Sequence, residues 1–70
     1  MDKVIVYYHK ESDTLDIWFG NPEDEYVAEE TGDEVILMKD KQGNVIGFEK
    51  LNYNLPKSSR LNVAFETVSV

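Results

Sequence analysis

Apolar residues in this chain recur at every second position rather than at the three-to-four spacing of a helix, and that period limits the fold more than any other feature. Residues 14–19 show it most clearly. Leu15, Ile17 and Phe19 share one side of an extended chain, and Thr14, Asp16 and Trp18 share the other. Residues 61–68 repeat the pattern with Leu61, Val63 and Phe65. Residues 4–8 and 35–38 are apolar on both faces, which predicts a central strand at 4–8 and a strand lying mid-sheet or beneath another layer at 35–38. Between residues 26 and 31 only Tyr26, Val27 and Ala28 are apolar, and the acidic flanks suit an edge strand that must not aggregate. In residues 45–51 the run is interrupted by Gly47, a signal for a bulge or a close backbone approach.

The breaks are equally regular. Residues 10–13 form a polar turn, and Gly20, Asn21 and Pro22 open a longer one. Gly32-Asp33 suggests a two-residue hairpin. Asp40-Lys41-Gln42-Gly43 is the clearest turn of all, with Asp suited to its first position and Gly to the left-handed one. No segment has helical periodicity over more than one turn; the place for a single turn is residues 54–60, around Pro56. The expected fold is an all-β antiparallel meander of five to six short strands, strongly twisted or barrel-like, forming one domain over residues 1–70. Residues 61–68 are expected to pair with the first strand or with a neighbouring subunit.

A chain of 70 residues is hard to stabilise. A domain of this size buries only about 60% of the surface its unfolded chain exposes, and ordering it costs on the order of 100 kcal/mol. Cysteine is absent and histidine occurs once, which removes disulfides, thiolate sites and structural zinc as means of support. Association remains, so a homo-oligomer is expected, most simply a two-fold dimer.

Fourteen carboxylates against seven Lys and Arg give a net charge of −7, which disfavours nucleic acid and anionic membranes as partners. A basic protein partner is permitted but not required, and the acidity serves solubility. No apolar run is long enough to cross a bilayer, and residues 1–4 lack a signal-peptide layout. A cytoplasmic protein is expected.

Two segments resemble a known family. In residues 8–17, Tyr8 precedes an acidic turn ending in Asp13, with Leu15 and Ile17 at alternate positions after it. In residues 35–51, an apolar strand meets the turn from Asp40 to Gly43, and a strand with Gly47, Phe48 and Glu49 follows. Both resemble signatures of the small prokaryotic family called domain of unknown function 2283. His9 stands where that family usually has Asp or Asn, Lys50 where it usually has an aliphatic residue, and the segment after Leu51 has no counterpart. The resemblance implies an all-β fold. The family has no assigned activity, so no functional residue carries over.

Chemistry-bearing groups are few. His9 would need a partner to act as a base, and Asp13 or Glu11 across the turn could supply one; a hydrogen-bonded turn histidine is the preferred reading. Among acidic runs, Glu29 and Glu30 are adjacent on a strand and point to opposite faces, so they cannot converge on one ion. No catalytic, cofactor-binding or metal-binding residue is assigned, and no cofactor is expected. Trp18 draws more notice. If Leu15, Ile17 and Phe19 face the core, Trp18 is outward, and an outward Trp marks an interface more often than a ligand patch; a sheet covered on both faces within the chain is the alternative. Tyr7 and Tyr26 are the residues expected to join it, with Tyr53 a further candidate. The preferred reading is a non-enzymatic interaction or accessory module acting as a homo-oligomer. The alternative is a carboxylate- or metal-dependent hydrolase with its site at a subunit interface.

Overall fold

Five of the alternating segments form strands in the computed structural model, which describes residues 3–56 and 60–70. They are β1 (Ile5–His9), β2 (Thr14–Trp18), β3 (Val27–Glu30), β4 (Val35–Lys39) and β5 (Val45–Lys50), with a single 3-10 turn at Pro22–Asp24. All pair antiparallel in one sheet of order β1-β2-β5-β4-β3. The sheet is therefore a hairpin, β1–β2, joined through β5 to a three-stranded meander, β3–β4–β5. The all-β expectation holds, but the sheet does not close into a barrel: β1 and β3 lie at opposite edges and do not pair.

Local chemistry accounts for the turns. Gly43 takes φ +83°, and its N–H donates to the Asp40 carbonyl at 3.1 Å. The Asp40 carboxylate accepts from the backbone of Gln42 at 3.0 Å and of Asn44 at 2.9 Å. The β3–β4 loop is longer than the two residues expected. Thr31 N–H donates to the Val35 carbonyl at 3.1 Å, enclosing Gly32, Asp33 and Glu34, and Glu34 takes the left-handed conformation at φ 60°. The 3-10 turn begins at Asn21, whose side chain accepts from Glu23 N–H, with Pro22 in the first helical position. Residues 54–56 are not helical, and residues 57–59 of the expected turn lie outside the described residues.

Two strand assignments need correction. Residues 4–8 are apolar on both faces, yet β1 is an edge strand. Ile5 packs toward the core on one face, while Val6 and Tyr8 lie half-buried on the other. Two apolar faces thus do not require a neighbour on each side. Residues 61–68 form no strand: Val63, Phe65 and Val68 are 46%, 72% and 68% exposed. Alternation makes a segment competent for a strand, but a strand also needs a ladder partner, and the described residues give it none.

The register decides which face closes. Ile5, Trp18, Gly47, Met38 and Ala28 lie opposite one another across the sheet. Trp18 and Met38 are 7% and 4% exposed and form the core with Ile46. This is the face that the alternation of residues 14–19 put outward. Gly47 is the physical reason. Lacking a side chain between Trp18 and Met38, it leaves room for the indole; a Cβ there would stand 2.8 Å from Trp18 Cε3. Gly47 is also part of the irregularity expected of it. The β4–β5 register skips Ile46, pairing Met38 with Gly47 and Lys39 with Val45. The opposite face carries Val6, Ile17, Phe48 and Leu37 in one row, each half-buried.

Candidate functional site

The same register places a row of unlike residues on the Trp18 face: Tyr7, Asp16, Glu49, Ile36 and Glu30. Asp16 and Glu49 are direct cross-strand partners, a spacing that puts their side chains in contact range. His9 sits opposite Thr14, one diagonal step from Asp16, and its Nε2 lies 3.0 Å from Asp16 Oδ2. The expected partners of His9, Asp13 and Glu11, are not used. Asp13 instead accepts the Tyr8 hydroxyl at 2.8 Å. Strand geometry explains the exchange, because His9 and Asp16 share a face of the ladder whereas Asp13 sits in the turn at φ 51°.

Asp16 is largely enclosed, its side chain 14% exposed, and its Oδ1 is buried without a partner. While both carboxyls are ionised, nothing donates to that oxygen. A proton on Glu49 gives the Asp16 carboxylate a further donor. Accordingly Glu49 is pushed up to about 7, first by the hydrogen bond with Asp16, then by burial and the Asp16 charge; Glu25 adds to the effect and His9 opposes it. A Glu49 carboxyl raised to that value can hold and release a proton near neutral pH. Among the described residues, no group of three or more His, Cys, Asp or Glu is arranged to hold a metal ion.

Other ionic contacts are structural. Glu34 holds its left-handed turn by accepting from Asn52 Nδ2 at 2.9 Å and Lys50 Nζ at 3.3 Å, and these bonds keep its carboxyl below the usual range. Lys39 donates to Glu29 at 2.8 Å. The hydrogen bond to Asp13 raises the Tyr8 hydroxyl above its ordinary value. An open depression of about 440 Å³ lies at one end of the sheet, lined by Glu23, Asp24, Glu25, Tyr26, Asp40, Lys41 and Gln42. There the Lys41 ammonium stands 5.8 Å from the Tyr26 ring.

The aromatic residues singled out in the sequence are not brought together. Tyr7 is 48% exposed on β1, Tyr26 is 64% exposed just before β3, and these strands are the two opposite edges. Trp18 lies in the chain's own core rather than on an outer patch. Tyr53 packs edge-on against Tyr8, ring centroids 6.1 Å apart, and its N–H donates to the Asp13 carbonyl at 2.8 Å. Sequence reasoning missed Glu49. No spacing signal links it to Asp16, because only the β2–β5 register makes them neighbours.

The comparisons with known proteins follow the same boundary. No curated protein and no solved structure matches the chain. Residues 5–53, from the start of β1 to the Tyr53 anchor, match one family model over well more than half of the sequence. The signatures around Tyr8–Ile17 and Val35–Leu51 therefore reflect membership: the chain belongs to the family described as protein of unknown function (DUF2283).

Proposed function

We propose that this chain is a non-enzymatic, cytoplasmic interaction module that acts as a homodimer through the sheet face opposite Trp18. The observation that carries it is the half-buried row Val6, Ile17, Phe48 and Leu37, apolar across four strands. Among the described residues no side chain is fully enclosed, so the core of one chain is incomplete. Charge favours a second copy over a basic partner. Glu29 and Lys39 border this row and already neutralise each other, as do Glu34 and Lys50. The face can be covered by an equally neutral, equally apolar face without stranding a charge.

Light scattering on the purified chain tests it. The expected mass is twice 8.1 kDa, falling to that of one chain in Leu37→Asp with Trp18 emission unchanged. A wild-type chain of single mass at high concentration overturns the reading.

The Asp16–Glu49–His9 group favours a second reading, a carboxylate-dependent hydrolase completed at a subunit junction. It requires turnover of an ester or phosphate substrate that Glu49→Gln abolishes. A metal-dependent version requires a divalent-cation shift in melting temperature that His9→Ala removes.

A further inference from the structure

Residues 61–68 have the pattern of a strand and none of its bonds. Val63, Phe65 and Val68 are 46%, 72% and 68% exposed, a high apolar exposure for one short segment. The sheet meanwhile has two open edges, each with unpaired backbone donors and acceptors. We infer that residues 61–68 of one copy add as a strand along the free edge of β1 in a second copy, in a reciprocal exchange. This rests on the homodimer reading and specifies one of its contacts.

Three observations select β1 and a second copy. The first is charge. Twelve of the fourteen carboxylates fall within residues 11–49, whereas β1 contains none, and the charges beside it, Asp2 with Lys3 and Lys10 with Glu11, cancel. β3 carries Glu29 and Glu30 and follows Glu23, Asp24 and Glu25, so it repels Glu66 of the incoming segment. β1 does not. In a chain of net charge −7, these two segments are where copies can approach with least repulsion.

The second observation is position. Tyr53 is anchored at the β1–β2 turn by its bond to the Asp13 carbonyl and its contact with Tyr8. The chain thus leaves the sheet at the end of β1, and two copies related by a two-fold axis along their β1 edges each present a segment to the other. The third is the single chain itself. Residues 61–70 form no ladder on its β1 edge. Strand addition to an edge takes its affinity from backbone bonds and its register from alternate side chains, here Leu61, Val63 and Phe65.

The test uses full-length variants. Val63→Pro removes a backbone donor from the added strand. The expected result is a light-scattering mass falling from two chains to one, with Trp18 emission and far-ultraviolet circular dichroism unchanged. The absence of native cysteine permits a direct check. Tyr7→Cys chains mixed with Phe65→Cys chains under mild oxidation should give a disulfide-linked heterodimer. Tyr26→Cys, on the β3 side, should link with Phe65→Cys far less. If Val63→Pro stays dimeric while Leu37→Asp becomes monomeric, the strand exchange fails and the face-to-face dimer stands. A wild-type monomer whose Tyr7→Cys/Phe65→Cys double variant links within one chain overturns both.

Discussion

A methyl group at position 47 would stand 2.7 Å from the Ile17 carbonyl oxygen and 2.8 Å from Trp18 Cε3, caught between backbone and a packed ring. Neither neighbour can give way cheaply, so Gly47→Ala should destabilise the fold by about 1–3 kcal/mol, read from the midpoint of urea unfolding. Beside it, Glu49 links folding to pH. Its folded value of about 7 lies above the ordinary 4.5 of a free Glu, so the folded chain binds its proton more tightly. That stabilisation is complete below the unfolded value and is lost as pH rises through the folded one. Melting temperature should therefore fall between about pH 5 and pH 8, the range in which Glu49 gives up its proton. Glu49→Gln should flatten the profile and raise the melting temperature on the alkaline side. The groups facing Glu49 are Asp16, His9 and Glu25, and a profile that keeps its slope in Glu49→Gln would overturn the assignment to Glu49. Glu34 acts in the opposite sense and in a lower window, because its carboxyl is lowered and its contribution is lost only on acidification.

The hairpins are held by individual turn residues, and the β4–β5 turn is the most completely bonded. Asp40 accepts from two backbone N–H groups and from the Asn44 side-chain amide at 3.3 Å. Asp40→Ala should cost about 1 kcal/mol, visible as a drop in melting temperature of about 4–8 °C for a domain of this size. These turns were legible because Asp, Gly and Asn act through their own backbone, within four residues. The β3–β4 loop was less so. Glu34 occupies a left-handed position that glycine would ordinarily fill, and what holds it there are Lys50 and Asn52, residues from the far end of β5 and just beyond it. The expected loop length followed the turn signal of Gly32 and could not include that support.

For the whole molecule, the placement of Trp18 separates two kinds of stability. Because the indole packs against Met38, Ile46 and Ile5 of the same chain, its emission should stay at short wavelength in a dissociated variant such as Leu37→Asp. It should shift to the red only on unfolding. A red shift on dilution, with the far-ultraviolet signal intact, would place Trp18 at an interface instead. The family match ends at residue 53, at the Tyr53 anchor and just past the last strand, β5. The exposed segment beyond it is therefore the part of this chain that the shared fold does not explain. No helix among the described residues is long and apolar enough to cross a membrane.

The apolar runs of residues 4–8 and 35–38 and the alternation of residues 14–19 and 45–48 made these segments competent for strands, and the polar clusters between them determined where they turn. Both follow from backbone sterics and side-chain alternation within a few residues. The tertiary structure alone decided the rest: that β5 stands between β2 and β4, that β1 is an edge, that the Trp18 face is the closed one, and that Asp16 meets Glu49. Each depends on register between distant segments. Shifting a strand by one residue exchanges its faces, and alternation reads the same in either phase. Only the space above Gly47 settles which phase closes around Trp18.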